Sequence, residues 1–229
     1  MKSSAHSPQV LANHKQLLQR DAHLRRFGCD LRAGIAFVLA QALPLESPVL
    51  EIGTGKGRFL VQLAKHVRHL TTVDISAGEQ QSARLNARYH KVENRIKFVL
   101  QDATRLPWPD HSFGAVATMN AMHHIREFEP VLEEMLRVVK PGGKLVLADF
   151  SPRGFQNIAR AHRAEGKTHP REPHAFHDLY RGLRKRGLAA RRRRGCQEEV
   201  LVIQAPADGL PARVPPAGRA SSRCSRPGS

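Results

Sequence analysis

The chain has 229 residues, 41% hydrophobic and 25% charged, which suits one globular domain with a buried core and argues against a disordered or fibrous chain. Its formal net charge of +17 is uneven, because residues 151–229 carry 17 Lys/Arg against 6 Asp/Glu. Cys29, Cys196 and Cys224 are odd in number, widely spaced and lack a C-x-x-C pair, so they argue against a disulfide framework and against a zinc site.

Polar residues interrupt Met1 to Gln19, so no secretory leader is expected. The longest apolar stretch, around Ala33 to Leu45, is broken by Gln41 and Pro44 and is too short to span a bilayer. A soluble, cytoplasmic protein without a transmembrane segment is the expectation. From residue 8 to about 43 apolar residues recur at helical spacing, including Val10, Leu17, Leu24, Leu31, Ile35 and Val38. Gly28 divides this region into two helices, and Pro44 stops the second.

Beyond Pro44, short apolar runs alternate with amphipathic segments. Strands are predicted at 49–52, 70–74, 96–100, 113–119 and 144–150, with helices at 58–67, 77–90 and 130–139. Such alternation implies right-handed crossovers and a mostly parallel sheet. "KPGG", residues 140–143, reads as the turn between a helix and the fifth strand. A helix is predicted at about 175–186, and "LAARRRRG" with "EEVLVIQA" reads as a closing hairpin that supplies a sixth strand and an antiparallel seventh. Pro170 and Pro173 make residues 151–177 loop-like, and residues 206–229, rich in Pro, Ala, Gly, Arg and Ser, are expected to be disordered.

The chemistry gathers around "VLEIGTGKGRF", residues 49–59, where three glycines alternate directly after a strand. A dinucleotide fingerprint fails, because Arg58 stands at the third glycine position. A phosphate-cradling loop fails too, because Gly57 rather than Ser or Thr follows Lys56. The remaining pattern, E-x-G-x-G-x-G, resembles the first motif of class I S-adenosylmethionine-dependent methyltransferases. "TTVDIS", "FVLQDATRLPWPD", "ATMNAMHHI" and "EEMLRVVKPGGKLVLADF" follow in that family's order and resemble its ubiquinone/menaquinone-biosynthesis-like (type 11) branch. One departure is Gly114, where the family usually has Asp after "SF"; it opens the fourth strand.

The resemblance implies an α/β, Rossmann-like, seven-stranded, mostly parallel sheet with an antiparallel last strand and helices on both faces. It implies S-adenosyl-L-methionine as the cofactor, held by Glu51, Gly53, Thr54, Gly55, Gly57, Asp74, Ile75, Asp102, Ala103 and Asn120, and no metal. In the family's arrangement Glu51 fixes the methionine end, Asp74 takes the ribose hydroxyls, and Asp102 meets the adenine amino group beside a backbone donor at Ala103. Each residue has a plainer alternative: the glycines could serve a tight turn, Glu51 a helix dipole, Asp74 a helix cap, Asp102 a turn, and Asn120 an ordinary loop. Lys56 reads as solvated.

His123 and His124 follow the fourth strand, where an imidazole could act as general base, so they are the catalytic candidates; at most one is expected to enter the site, and both could be plain loop residues. His162, His169, His174 and His177 do not reproduce a known zinc spacing. The expected organisation is N-terminal helices over an acceptor pocket (1–45), a methyltransferase domain (46–205) with 151–177 as lid or pocket wall, and the tail (206–229). A small-molecule methyl acceptor is the leading expectation. An RNA or protein acceptor recruited by the basic third is second, and a non-catalytic cofactor-binding module is third. Nucleic acid is not favoured, since no aromatic residues interleave with the Arg run to stack bases.

Overall fold

The computed structural model describes residues 6–169 and 176–208. Two helices open the chain, α1 (Pro8–Arg26) and α2 (Leu31–Ala42). The sheet then begins with β1 (Val49–Ile52), followed by α3 (Arg58–Leu63), β2 (Leu70–Asp74), α4 (Ala77–Tyr89), β3 (Ile96–Leu100) and β4 (Phe113–Met119). The second half runs through α5 (Phe128–Val138), β5 (Val139–Phe150), α6 (Pro152–Arg163), α7 (Phe176–Lys185), β6 (Ala189–Arg194) and β7 (Glu198–Gln204). The seven strands form one sheet in the order β3-β2-β1-β4-β5-β7-β6. β7 runs antiparallel to both neighbours, and the other pairs are parallel.

Both faces of the sheet are covered, which is why its central strands are apolar on both sides. On one face Val49, Ala117, Val146 and Val200 pack under α2, α3 and α4, with Ile35, Leu60 and Ala83 in the same core. On the other, Leu50, Ile52, Val116, Leu147 and Leu201 meet Val131, Met135 and Leu136 of α5 and Leu183 of α7. A third cluster, Leu24, Cys29, Phe150 and Ile158, joins α1, α6 and the end of β5.

Local signals set the helix starts. Asp30 accepts backbone N–H bonds from Arg32 and Ala33, and Ser76 accepts one from Glu79. Three segments differ from the sequence expectation. α3 is only six residues long, because residues 64–66 turn instead of continuing the helix. β5 begins before the "KPGG" turn: Val139 already pairs with Phe113, and the register shifts between Phe113 and Ala115. α6 occupies part of a stretch expected to be loop-like. Ser151 caps it through the Gly154 N–H, and Pro152 sits in its first turn, where a missing N–H costs nothing. The expected disordered tail lies, from residue 209 onward, outside the described residues. Among those described, no helix is long and apolar enough to cross a membrane.

The Arg run of β6 does structural work. Arg192 and Arg194 both pair with buried Glu199, and Arg191 donates to the Gln41 carbonyl at the end of α2. On an edge strand such charges also oppose pairing with another sheet.

Two glycines make the packing testable. A Cβ on Gly154 would overlap the Gln197 carbonyl oxygen, whereas one on Gly182, inside α7, would meet nothing within 4 Å. Gly154→Ala is therefore expected to lower stability by roughly 1–3 kcal/mol, and Gly182→Ala to raise it by roughly 0.5–1 kcal/mol. Urea unfolding midpoints of the two variants check both signs.

Candidate active site

Parallel strands end together, so the carboxyl ends of β1, β2, β4 and β5 share one edge, and the sheet order reverses between β1 and β4. That reversal opens a crevice, the usual ligand position in an open α/β sheet. Antiparallel β7 starts at the same edge, which brings Glu198 opposite Phe150.

The chain leaves β1 through Gly53, Gly55 and Gly57, all at positive φ (83°, 47° and 73°). A Cβ on Gly53 would collide with that of Ala121, so this position must be bare for the β1 and β4 exits to lie side by side. Gly57 has a different task. It caps α3, lies 2.9 Å from Ala83 by its ideal Cβ, and its carbonyl accepts from Asn86 of α4. It lines neither of the cavities described below.

The glycine bend is tied to β2. Gly53 and Thr54 donate to the Val73 carbonyl, and the Gly55 N–H donates to Asp74 Oδ2 at 2.8 Å. Asp74 Oδ1 accepts from the Ser76 N–H at 2.9 Å. Ser76, not Asp74, caps α4, so the helix-cap alternative for Asp74 does not hold. Asp102 does serve a turn: its Oδ1 accepts from the Thr104 N–H and hydroxyl. It nevertheless faces the same crevice. The loop that follows is clamped to α5, since Glu134 accepts from the Leu106 N–H and Arg137 donates to the Leu106 and Trp108 carbonyls.

A cavity of about 740 Å³ runs along this edge, lined by Gly53, Gly55, Asp74, Ile75, Asp102, Ala103 and Asn120 together with Lys56, Arg58 and His124. Ile75 stands 77% exposed at its rim, an apolar side chain turned outward. A second cavity of about 210 Å³ adjoins it and shares Gly53, Gly55, Lys56, Arg58, Asn120 and His124. Its remaining wall is largely apolar: Leu24 of α1, Leu31 and Ile35 of α2, Phe150, and Ile158 of α6. Glu51, Thr54, His123 and His169 also reach it.

Electrostatics at this edge are unusual. Glu51 is fully buried and accepts from the Thr72 hydroxyl at 2.6 Å, while the Thr72 oxygen contacts Thr54 Oγ1 at 2.7 Å. Burial, reinforced by nearby Asp74, pushes the Glu51 carboxyl up to about 8. Glu198 is likewise pushed up to about 8 by burial; its Oε1 accepts from Asn120 Nδ2 at 3.3 Å, and its Oε2 has no partner among the described residues. Asn120 itself holds φ +54°, a strained conformation for a residue with a side chain, and its buried Oδ1 is unpartnered.

His123 and His124 separate in role. His123 is buried, and its Nδ1 lies 2.6 Å from Asp149 Oδ1 at the end of β5. Asp149 also accepts the backbone N–H groups of His123 and Phe150. A carboxylate only accepts, so Nδ1 carries a proton; in the neutral ring Nε2 is then the lone pair, and it is buried and without a partner among the described residues. His124 is exposed and lines both cavities; burial of part of its ring and the neighbouring His123 lower its basicity.

Sequence reasoning missed three contributors, Arg58, Asp149 and Glu198, and named His169 only within the segment expected as lid or pocket wall. Asp149 had a signal, an acid closing the apolar run "LVLADF" as Glu51 and Asp74 close theirs. Arg58 was noted only as a missing glycine, yet it bonds Asp21 at 2.8 Å and keeps a buried Nη2 without a partner. The residues present fit the expected cofactor. The larger cavity suits a ligand of nucleoside size, and it combines carboxylates at Asp74 and Asp102, an apolar platform at Ile75 and an unpaired acceptor at Asn120.

Comparison with known proteins agrees with this geometry. Residues 50–147 match a family described as a methyltransferase domain, type 11. The chain is 36% identical over 137 residues to 27-O-demethylrifamycin SV methyltransferase of Amycolatopsis mediterranei (strain S699), covering 56% of this chain and 50% of that one. It is 36% identical over 103 residues to the demethylmenaquinone methyltransferase of Clavibacter sepedonicus, covering 45% and 41%. The chain thus spans about half or less of the length of these curated relatives. In fold it is similar to a geranyl diphosphate methyltransferase solved in complex with S-adenosylmethionine, with a TM-score of 0.59, 14% identity, and 79% and 89% of the two chains covered. With its sheet order, glycine bend and strand-end acids in place, residues 50–147 carry the methyltransferase domain that this family model describes, similar to that of class I S-adenosylmethionine-dependent methyltransferases of the type 11 branch.

Proposed function

We propose that this protein transfers a methyl group from S-adenosylmethionine to a small-molecule acceptor seated in the smaller, apolar-walled cavity. The observation that carries this reading is the shared wall: the two cavities meet at Gly53, Gly55, Asn120 and His124, so a ligand in one is next to a ligand in the other. At about 210 Å³ the second chamber is of small-molecule rather than polymer size. The names of the relatives point the same way, since those proteins act on a rifamycin and on demethylmenaquinone. The Arg run does not favour nucleic acid, because Arg192 and Arg194 are engaged with Glu199.

In this reading the larger cavity holds the cofactor. Asp74 keeps lone pairs for the ribose after accepting its two backbone N–H bonds. Ile75 and Ala103 offer apolar contact to the base, and Asp102 a carboxylate at its edge. Glu51 and the Asn120 Oδ1 suit the methionine ammonium, and the unpaired Arg58 Nη2 suits its carboxylate. The bound cofactor supplies a methyl already activated by a sulfonium, so the chain's own task is alignment, exclusion of water and removal of a proton. Leu24, Leu31, Ile35, Phe150 and Ile158 exclude water. His123 Nε2 takes the proton from the acceptor's nucleophilic atom, and Asp149 fixes the required tautomer through Nδ1. A base so carefully oriented points to an acceptor that loses a proton, such as a hydroxyl, an N–H or an acidic C–H.

Three measurements test this. Incubating the protein with radiolabelled S-adenosylmethionine and fractionated cell extract is expected to place label in the small-molecule fraction; label only in RNA or protein would overturn the acceptor assignment. Asp74→Ala is expected to weaken cofactor binding at least about tenfold, since a hydrogen bond to a charged group contributes roughly 1.5–3 kcal/mol. Asp149→Asn and His123→Ala, by contrast, should lower kcat by about 10²–10⁴ with cofactor affinity retained, the range for general-base removal.

The pH dependence has a definite sign. Glu51 holds its proton in the fold up to about 8, against 4.5 for the free group, so its stabilising contribution is complete below about 4.5. That contribution is lost as pH rises toward and through 8. Glu51→Gln should therefore stabilise the ligand-free protein by a few kcal/mol at pH 9, with little effect near pH 4, since each unit of pKa difference is about 1.4 kcal/mol. Chemical denaturation at the two pH values, with cofactor titration alongside, reads both the gain in stability and the expected loss of affinity.

A further inference from the structure

Four histidines from two distant parts of the chain meet beside the smaller cavity. His123 and His124 come from the single 3₁₀ turn after β4, His162 from the last turn of α6, and His169 from the segment beyond it. The ring centroids of His123 and His124 are 4.0 Å apart, those of His123 and His169 5.0 Å, and those of His124 and His169 5.4 Å. His162 lies edge-on to His169 at 4.7 Å. One ring nitrogen from each of His123, His124 and His169 falls within 4.8 Å of the other two.

Several of these ring nitrogens have no hydrogen-bond partner among the described residues. His123 Nε2 is buried and unpartnered, as are both ring nitrogens of His169 and Nδ1 of His162 among the described residues. Leaving a buried polar atom without a partner is unfavourable, so several ring nitrogens at one place suit a shared ligand. Asp149 behind His123 supplies a further sign. A carboxylate on the far nitrogen of an imidazole is the usual outer support of a metal-bound histidine, where it fixes the ring and raises its donor strength.

We propose that His123, His124 and His169 form a three-imidazole site for a first-row transition-metal dication such as Zn²⁺, with Asp149 orienting His123. Imidazole nitrogens favour zinc, cobalt, nickel and copper; magnesium and calcium require oxygen ligands, and the cluster offers none directly. Tetrahedral zinc with N–Zn distances of about 2.0–2.1 Å brings its nitrogens to roughly 3.3 Å from one another. The cluster therefore has to contract by about an ångström or more, and His169, beyond the end of α6 and outside regular structure, is the residue free to move inward. All three rings line the smaller cavity, so the fourth coordination position opens onto it, as in a catalytic zinc site.

Metal binding would use the same His123 lone pair as proton removal, so the two roles exclude each other. With the ion present, an acceptor oxygen in the fourth position would be acidified by the metal and release its proton to solvent. That consequence rests on the methyl-transfer reading; the metal site itself does not.

The test uses the untagged full-length chain, freed of metal by a chelator. Co²⁺ is titrated by visible absorption, and Zn²⁺ and Mg²⁺ by equilibrium dialysis with metal analysis. One Co²⁺ or Zn²⁺ per chain is expected, with the d–d bands of a tetrahedral site and no Mg²⁺ bound. His169→Ala should weaken Zn²⁺ binding well over about tenfold, and Asp149→Asn about tenfold, the magnitude for an outer-shell partner. Cys196→Ala should change nothing. Unaltered S-adenosylmethionine binding by His169→Ala shows that this variant is folded. Absence of stoichiometric metal, full affinity in His169→Ala, or loss of binding in Cys196→Ala would each overturn the site. Failure of the parent chain to bind S-adenosylmethionine would instead strike the methyl-transfer reading, leaving the metal result to be judged by its own titration.

Discussion

The exit from β1 is the constraint on which everything else depends. Gly53 lies so close to Ala121 that no side chain fits, and only there can the chains leaving β1 and β4 run side by side. The contact defines the crevice at the point where the sheet order reverses. Its bend is then pinned by the Gly55 N–H to Asp74, so the loop and the acid at the end of β2 are one structural unit. Both cavities share that bend as a wall.

The edge of the sheet concentrates groups that a stable core would avoid. Glu51 and Glu198 are buried carboxyls held near 8 by desolvation, and Asn120 adopts a left-handed backbone conformation. Unpaired atoms of Asn120, His123, Arg58 and Glu198 lie in the same region. Each costs free energy in the empty protein. Their concentration at the crevice, against a well-packed apolar core elsewhere, is what a site prepared for charged and polar ligands requires.

The smaller cavity takes part of its wall from elements outside the central sheet. α1 and α2 contribute Leu24, Leu31 and Ile35, and α6 contributes Ile158. Arg20 and His23 of α1 both bond Glu165 just beyond α6, tying the N-terminal helices to that wall. Within the Arg-rich end, which in composition suggests an anionic partner, Arg192 and Arg194 hold β6 to β7 and Arg191 holds it to α2.

The sheet was legible in the sequence because its evidence is local. Five strand runs, the glycine bend and the closing hairpin are each written in consecutive residues, and their alternation leaves few topologies. α6 was harder to read, since Pro170 and Pro173 gave the whole of 151–177 a loop-like character, whereas in the fold Ser151 caps a helix and Gly154 packs on the Gln197 carbonyl. Asp74 and Asp102 could be placed at strand ends, but whether they faced a crevice or a turn depended on the fold, and for Asp102 both hold. The pairing of His123 with Asp149, the arrival of Glu198 from an antiparallel strand, and the meeting of His169 with His123 and His124 were invisible to spacing. Strand identity and the glycine bend follow from short-range sterics and hydrophobic period, which one stretch of sequence carries. Which side chains meet across the crevice is decided by strand order and helix packing, which bring distant residues within a few ångströms and leave no mark in linear spacing.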